Sequence, residues 1–163
     1  VVSLLDARFE IALALFALAG ISDGIDGALA RSYGWFSRLG AVLDPLADKL
    51  LLVSVYLALG WEGFVPVWLV AAVIARDVVI VSGAAAYRFL VGNLEMAPTV
   101  TSKLNTFLQI SLALAVMLAQ LNWVPGWLSD AFVYAVLAST LISGFQYVLV
   151  WGRRARAEMR GRE

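Results

Sequence analysis

The sequence contains neither cysteine nor histidine, and these two absences limit the chemistry that the chain can perform. Without cysteine, the chain forms no disulfide and no thiolate metal site. Without histidine, it lacks the most common acid–base residue and the most common metal ligand of proteins. Any catalysis or metal binding must therefore use carboxylates, arginine, lysine, hydroxyl groups or the backbone.

Charged residues are also scarce, at 15% of the 163 residues, whereas 62% are hydrophobic and the mean hydropathy is +0.86. Soluble domains are about half apolar, so this composition predicts a protein of the lipid bilayer. A membrane-spanning helix needs about 20 apolar residues, so the length allows about five or six spans and no separate soluble domain. We therefore expect a single all-α domain over 1–163, a polytopic transmembrane helix bundle. Nothing in the composition indicates a nucleic-acid partner.

Turn-forming residues divide the apolar sequence into five predicted helices. These helices cover 9–33, 40–60, 65–90, 102–121 and 127–151. Residues 1–5 resemble the end of an earlier helix, and because the chain does not begin with methionine we expect an N-terminal truncation. Residues 152–163 are predicted to form a basic tail.

The basic residues are unevenly distributed between the two ends of the predicted helices. The tail holds five arginines, namely Arg153, Arg154, Arg156, Arg160 and Arg162. Alternation of the helices puts the loops near Arg38 and over 88–103 on the same side as this tail. The turns at 61–64 and 122–126 contain no lysine or arginine, so the positive-inside rule predicts that the tail is cytoplasmic. Arg8 is the one exception to this pattern.

Four aspartates interrupt the first two predicted helices: Asp23, Asp26, Asp44 and Asp48. Each charge at the middle of a bilayer costs about 3 kcal/mol on insertion scales, so the aspartates must neutralise one another or hold a cation. At about 100° per residue, each helix carries its two aspartates on one face, and a short link can bring the faces together. Carboxylates without histidine or cysteine suit Mg²⁺ or Mn²⁺, and substrate phosphates often complete the coordination of Mg²⁺. The pattern therefore predicts phosphoryl-group chemistry.

Small residues and one arginine share these faces with the aspartates. Gly27, Ala30 and Gly40 would let a bulky substrate approach the helix backbone. Arg31 would pair with a phosphate through its planar guanidinium group.

Each of these features alone also has a simpler interpretation. Asp44 before Pro45 is typical of a helix N-cap with proline at the first helical position. Asp23 and Asp26 are compatible with solvated charges near a helix end, and glycine and alanine are compatible with close packing of membrane helices. None of these interpretations accounts for all four aspartates together.

The run that ends at Asp48 resembles the signature of the CDP-alcohol phosphatidyltransferases. In that signature D-G-x-x-A-R is followed by eight residues and G-x-x-x-D-x-x-x-D, with another aspartate three positions before the start. The positions are filled by Asp23, Asp26, Gly27, Ala30, Arg31, Gly40, Asp44 and Asp48. The segments 17–23, 43–49, 75–77 and 102–106 are similar to the branch that contains phosphatidylglycerophosphate synthases and CMP-forming cardiolipin synthases. The resemblance implies a six-helix fold, of which the first helix is truncated here.

The resemblance also implies roles for the residues of the motif. The ligands of two divalent ions, Mg²⁺ or Mn²⁺, would be Asp23, Asp26, Asp44 and Asp48, and Asp48 would also be the general base. The contacts to the CDP group would be Gly27, Ala30, Arg31, Ser37 and Gly40. CDP-diacylglycerol would transfer its phosphatidyl group to an acceptor hydroxyl with release of CMP.

Arg76 and Asp77 lie within the third predicted helix, where each charge needs a partner. Because neighbours in sequence point in different directions, we expect each of them to have its own partner elsewhere. One interpretation pairs Arg76 with a carboxylate of the metal site, and the other has Arg76 and Lys103 bind a phosphate of the acceptor. Lys103 is equally compatible with extending to the membrane surface. Asn105 is compatible with lining a pocket or with an interhelical hydrogen bond.

The stretch 102–106 is more similar to cardiolipin synthases, which favours phosphatidylglycerol over glycerol 3-phosphate as the acceptor. The expected partners are CDP-diacylglycerol, this acceptor and the lipid bilayer, and a homodimer is an open option. A cation transporter is a competing class, but it should spread its polar residues across the membrane or break corresponding helices. A purely structural bundle should use serine, threonine or asparagine rather than four aspartates.

Overall fold

The computed structural model is all-helical over the residues that it describes. It describes the backbone over 9–33, 40–90 and 99–160, and the side chains over 9–20, 22, 25, 47–83 and 99–149. The helices are α1 Phe9–Tyr33, α2 Gly40–Trp61, α3 Val67–Leu90, α4 Val100–Gln120 and α5 Gly126–Arg160. The prediction of five helices is confirmed, and the bounds agree closely except at the end of α5. The predicted remnant of an earlier helix at 1–5 lies outside the described residues.

The last helix is longer than predicted because it does not end near Trp151. It continues through Gly152 to Arg160 and so contains 35 residues. Arginine and alanine, which dominate this stretch, are among the best helix formers, and a single glycine costs only about 1 kcal/mol relative to alanine. The predicted basic tail is therefore helical as far as Arg160.

The two described turns end a helix in the same way. At the end of α2 the Phe64 N–H donates to the Leu59 carbonyl at 2.9 Å, and Gly63 has a positive φ of 79°. At the end of α4 the Trp123 N–H donates to the Leu118 carbonyl at 3.0 Å, and Asn122 has a φ of 58°. This is the C-cap in which glycine, or less often asparagine, takes the left-handed conformation.

Two of the helices are long and apolar enough to cross a membrane. Within the described residues these are Val100–Gln120 and Gly126–Leu149, with mean hydropathy of 1.4 and 1.6. Only 39% and 28% of the most apolar stretch of these two helices is buried inside the protein, so most of their apolar surface faces outward. The core helix of a soluble protein would be mostly buried, and we conclude that the chain is a helical membrane protein, as predicted.

The chain divides into two compact units, Val1–Val65 with Ala113–Ser129 and Pro66–Leu112 with Asp130–Glu163. In the first unit Tyr56 and Leu59 are fully buried. The rings of Phe9 and Phe64 in that unit pack edge to face, with their centroids 5.2 Å apart. Aromatic pairs prefer this arrangement, so it joins the start of α1 to the turn that follows α2.

In the second unit, the contacts define the directions of three helices. Arg76 contacts Ser143, and the Tyr147 hydroxyl donates to the Ile80 carbonyl at 2.9 Å, so α3 and α5 run parallel. Thr101 contacts Gln146, whereas Asn105 contacts Thr140, so α4 and α5 run antiparallel. The approach of α3 to α5 is close at Gly83, where an added Cβ would lie 3.0 Å from a ring carbon of Tyr147. All three helices therefore meet along the first half of α4.

Candidate active site

The motif occupies the second half of α1 and the first half of α2. Asp23, Asp26, Gly27, Ala30 and Arg31 are helical residues of α1. Their spacing of three, four, seven and eight residues from Asp23 places them along one side of that helix. Ser37 lies outside the described residues, and the side chains of the five residues on α1 are also not described.

The start of α2 excludes the simple N-cap interpretation of Asp44. Because α2 begins at Gly40, Asp44 and Pro45 are the fifth and sixth residues of the helix. An N-cap residue precedes the first helical residue, so Asp44 does not occupy that position. Pro45 has no N–H to donate within the helix, which makes it a costly residue beyond the first turn.

Asp48 is the one motif aspartate whose side chain is described, and it is exposed on α2. Among the residues with described side chains, no group of three or more carboxylates could hold a metal ion. The other three aspartates fall outside that set. The chemistry of the donor set does fit a hard divalent cation, because all four residues offer carboxylate oxygen and lie on two consecutive helices.

Arg76 is buried in the middle of α3, with 6% of its surface exposed, and it joins three helices. Its Nη1 donates to Asp77 Oδ1 at 2.7 Å. Its Nη2 donates to the Ser102 hydroxyl on α4 at 2.8 Å and to the Ser143 hydroxyl on α5 at 2.5 Å. The Nε atom is buried and has no hydrogen-bond partner.

The expectation that Arg76 and Asp77 have separate partners is wrong. Although adjacent helical residues start in different directions, the long arginine side chain turns its guanidinium group back to the neighbouring carboxylate, so the two charges neutralise each other. The ion pair is largely excluded from solvent, with 4% of the Arg76 side chain and 13% of the Asp77 side chain exposed. Removal of one partner from a buried ion pair typically costs about 3–5 kcal/mol, because the other charge is left uncompensated.

Asn105 on α4 forms an interhelical hydrogen bond, which decides between the two interpretations of this residue. Its Oδ1 accepts from the Ser139 hydroxyl at 2.7 Å and from the Thr140 hydroxyl at 2.9 Å, both on α5. The side chain is fully buried, and its Nδ2 has no hydrogen-bond partner. Asn105 therefore stabilises the packing of α4 on α5.

Lys103 is exposed and lies in the first turn of α4. This turn is capped by Thr99, whose hydroxyl accepts from the Ser102 N–H at 3.2 Å and whose carbonyl accepts from the Lys103 N–H at 3.1 Å. Arg76 thus contacts Ser102, the residue that precedes Lys103. The two cations differ in burial, since Arg76 is buried and Lys103 is exposed.

Sequence reasoning missed the hydroxyl partners of these polar residues. Ser139 and Ser143 are spaced by four, which puts both on one face of α5 together with the neighbouring Thr140. A row of hydroxyls on an apolar helix is a signal for interhelical hydrogen bonds. The donor or acceptor on the other helix is not identifiable from that signal.

These features define a helical membrane protein with a set of carboxylates on two consecutive helices. A sequence profile of the CDP-alcohol phosphatidyltransferase family matches residues 1–149. The chain belongs to this family. No solved structure matches the chain.

Three similar proteins illustrate the range of names within the family. The chain is 34% identical over 132 residues to a cardiolipin synthase (CMP-forming) of Rattus norvegicus, which covers 71% of this chain and 44% of the rat protein. It is 31% identical over 158 residues to a cardiolipin synthase (CMP-forming) of Streptomyces coelicolor, covering 91% and 70%. It is 32% identical over 139 residues to a probable phosphatidylglycerophosphate synthase of Mycobacterium tuberculosis, covering 85% and 64%. The chain thus spans less than half the length of the rat relative.

Proposed function

We propose that the protein transfers a phosphatidyl group from CDP-diacylglycerol to the hydroxyl of a glycerol-type acceptor, with release of CMP. The observation that carries this proposal is the complete motif of four aspartates and small residues on α1 and α2, in a chain of this family. A reaction that moves phosphate groups needs neutralisation of their charge, and this chain offers no histidine or cysteine for the task.

The proposed binding residues follow the motif. Two divalent ions, Mg²⁺ or Mn²⁺, would be held by Asp23, Asp26, Asp44 and Asp48. Such ions, when bound, polarise phosphate oxygens and neutralise developing charge. The CDP group would be held by Gly27, Ala30, Arg31, Ser37 and Gly40. Arginine suits this role because its planar group donates two parallel hydrogen bonds to a phosphate.

In the proposed reaction the chain supplies a base for the acceptor. The acceptor oxygen forms a bond to the phosphorus that carries diacylglycerol, and the pyrophosphate P–O bond to the CMP group breaks. CMP leaves with the electron pair of that bond, and the hydroxyl proton passes to the Asp48 carboxylate. The exposure of Asp48 on α2 supports this role, because a base must be accessible to the acceptor.

We place the acceptor at the side of the protein that holds Arg76 and Lys103, and we favour phosphatidylglycerol, the acceptor of a cardiolipin synthase. Glycerol 3-phosphate is the alternative, and its phosphate carries up to two charges. Among the residues with described side chains, Arg76 is neutralised by Asp77, whereas Lys103 is exposed at this end of α4. One exposed lysine suits the single charge of a phosphodiester better than the two charges of glycerol 3-phosphate. The names of the rat and Streptomyces relatives support the same choice.

Release of CMP tests the proposal directly. The purified protein in detergent is incubated with CDP-diacylglycerol, Mg²⁺ or Mn²⁺, and either phosphatidylglycerol or glycerol 3-phosphate. We expect acceptor-dependent release of CMP, faster with phosphatidylglycerol, and none after chelation of the metal. Release with glycerol 3-phosphate alone would reassign the acceptor. No release with either acceptor would reject the proposed function.

We further propose that the motif and the basic end of α5 face the cytoplasm. The five arginines of residues 153–162 support this orientation, because basic residues are enriched in cytoplasmic segments.

A further inference from the structure

We propose that Arg76 is a positioning residue, which holds the first turn of α4 and with it Lys103, rather than a residue that contacts the acceptor. The inference rests on the proposed function, since it assigns Lys103 to the acceptor. It concerns the second unit alone, which contains every residue involved.

The burial of Arg76 argues against direct contact with a substrate. Only 6% of the residue is exposed. Its charge is compensated by Asp77 at 2.7 Å, so it offers little attraction to an external phosphate. A residue that receives an anion needs accessible donors. Here Nη1 donates to Asp77, Nη2 donates to Ser102 and Ser143, and the unpartnered Nε is buried.

The contact to Ser102 connects Arg76 to the start of α4. Ser102 receives two constraints, since its hydroxyl accepts from Arg76 at 2.8 Å and its N–H donates to the Thr99 hydroxyl at 3.2 Å. The next residue along the helix is Lys103, whose N–H donates to the Thr99 carbonyl at 3.1 Å. The backbone of Lys103 is therefore constrained by its own bond to Thr99 and by its neighbour Ser102, which Arg76 holds.

The location of Lys103 is unfavourable for helix stability, which points to a function. The N-terminal turn of a helix carries partial positive charge, and a lysine there is disfavoured. Lys103 is exposed and sits in that turn of α4. Real proteins break such local rules chiefly at functional sites. A buried ion pair that anchors this turn would hold the exposed cation in one place.

The contact of Arg76 to α5 provides an internal comparison. Ser143 accepts from the same Nη2 atom at 2.5 Å, and an added Cβ at Gly144 would lie 3.6 Å from Arg76 Cγ. Loss of the Ser143 hydroxyl would remove one hydrogen bond of equal type without touching α4. Substitution of each serine in turn thus separates the loss of the contact to α4 from the general loss of one hydrogen bond to Arg76.

The test compares Ser102→Ala with Ser143→Ala in the full chain, with steady-state kinetics for both substrates. Ser111→Ala is the matched control, because Ser111 lies on α4 and donates only to the Phe107 carbonyl of its own helix at 2.9 Å. We expect Ser102→Ala to raise the KM for the acceptor roughly tenfold, the effect of one hydrogen bond to a charged group, and to leave the KM for CDP-diacylglycerol unchanged. Ser143→Ala should raise the acceptor KM less, and Ser102→Thr, which keeps the hydroxyl, should restore it.

A double-substitution cycle with Lys103→Gln decides between positioning and contact. If Arg76 acts through Lys103, Ser102→Ala has little further effect on the acceptor KM once Lys103 is replaced. Full additivity of the two substitutions would overturn the proposal. An effect of Ser143→Ala as large as that of Ser102→Ala would also overturn it, because Arg76 itself would then be the group that matters.

A measurement without turnover keeps this inference separate from the proposed function. The chain has no cysteine, so Lys103→Cys provides a single thiol. In that background Ser102→Ala should raise the rate of thiol labelling severalfold, whereas Ser111→Ala should not. If no CMP is released with either acceptor but labelling responds as expected, the proposed function fails while the anchoring by Arg76 stands. Unchanged labelling would reject the anchoring, whatever the activity.

Discussion

The first two helices and the last two treat polar residues in opposite ways. Between Leu104 and Ser129, and again between Ala131 and Gly152, the chain has no charged residue. Some of its buried polar groups there pair across helices, as Asn105 does with Thr140. In contrast, α1 and α2 carry five carboxylates against two basic residues.

This difference in polar residues corresponds to two roles, the stabilisation of helix packing and the proposed phosphoryl chemistry. Hydroxyl and amide groups that bind one another satisfy their hydrogen bonds inside the protein and stabilise helix packing. An excess of carboxylates within apolar sequence cannot be compensated in that way, and we propose that a divalent cation compensates it. The comparison supports our proposal that the metal and nucleotide chemistry lies on α1 and α2, whereas α4 beyond its first turn and α5 serve helix packing.

The largest expected effect concerns the side of the membrane that the α1–α2 connection and the end of α5 face. Single cysteines at Ser37, between α1 and α2 in the sequence, and at Arg156, near the end of α5, should both resist an impermeant thiol reagent applied outside intact cells. The expected result is all or none, because a bilayer blocks the reagent completely. Cysteines at Glu62 and Trp123, in the two turns without basic residues, serve as controls that should be labelled. Labelling of Ser37→Cys or Arg156→Cys from outside would overturn the proposed orientation.

The next largest effect is expected for Asp48, the proposed base. Asp48→Asn keeps the shape of the side chain but removes its basicity, so the rate of CMP release should fall by about 10²–10⁴-fold. CDP-diacylglycerol should still bind in the presence of metal, as measured by equilibrium binding. Asp130→Asn is the matched control, because Asp130 is an exposed helical aspartate outside the motif, and turnover should not change.

Two results would contradict the assignment of Asp48. Near-normal turnover of Asp48→Asn would remove its role as base. Loss of nucleotide binding as complete as in Asp23→Asn would make Asp48 chiefly a metal ligand.

A smaller effect, on binding rather than on chemistry, is expected for the two aspartates of α1. Asp23→Asn or Asp26→Asn should raise the Mg²⁺ concentration needed for half-maximal binding of CDP-diacylglycerol by roughly 10–100-fold, since loss of even an outer partner of a metal site has that effect. Glu10→Gln, an exposed carboxylate on the same helix, should leave the metal dependence unchanged. Metal dependence that is the same in all three variants would remove the carboxylates of α1 from the metal site.

The smallest effect tests the architectural side of the comparison. Asn105→Ala removes the acceptor of two interhelical hydrogen bonds and should lower the free energy of unfolding in detergent by about 0.6–1.7 kcal/mol. These figures are the average and the maximum measured for such bonds in a membrane protein. Ser111→Ala, which breaks only a bond within α4, should change it by less than about 0.5 kcal/mol. A wild-type unfolding free energy for Asn105→Ala would mean that the polar contacts between α4 and α5 do not stabilise their packing.

The sequence allowed prediction of the helices because each boundary has a local signal. The turn at Gly63 and the turn at Asn122 use residues that tolerate the left-handed conformation, and the apolar runs between turns have the length of a membrane span. The end of α5 was missed because Gly152 resembles a helix end, whereas the favourable residues after it continue the helix.

The polar contacts were less predictable because they depend on side-chain torsions and on residues distant in sequence. Nothing near Arg76 indicates that its guanidinium group turns back to Asp77 and also reaches a serine 67 residues away. The role of Asn105 was undecided for the same reason, since its partners lie 34 and 35 residues further along the chain. The roles of the motif aspartates come from the family pattern, and they stay predictions.

The length of α5 has a consequence for its basic end. A helix of 35 residues is about 52 Å long, whereas the hydrocarbon layer of a bilayer is about 30 Å thick. Because the helix is continuous through Gly152, the arginines near its end belong to the same helix as Ser143, the residue that Arg76 binds. If the helix crosses the bilayer along its normal, about 20 Å of it extends beyond the hydrocarbon layer and carries the arginines near its end into the headgroup region and water.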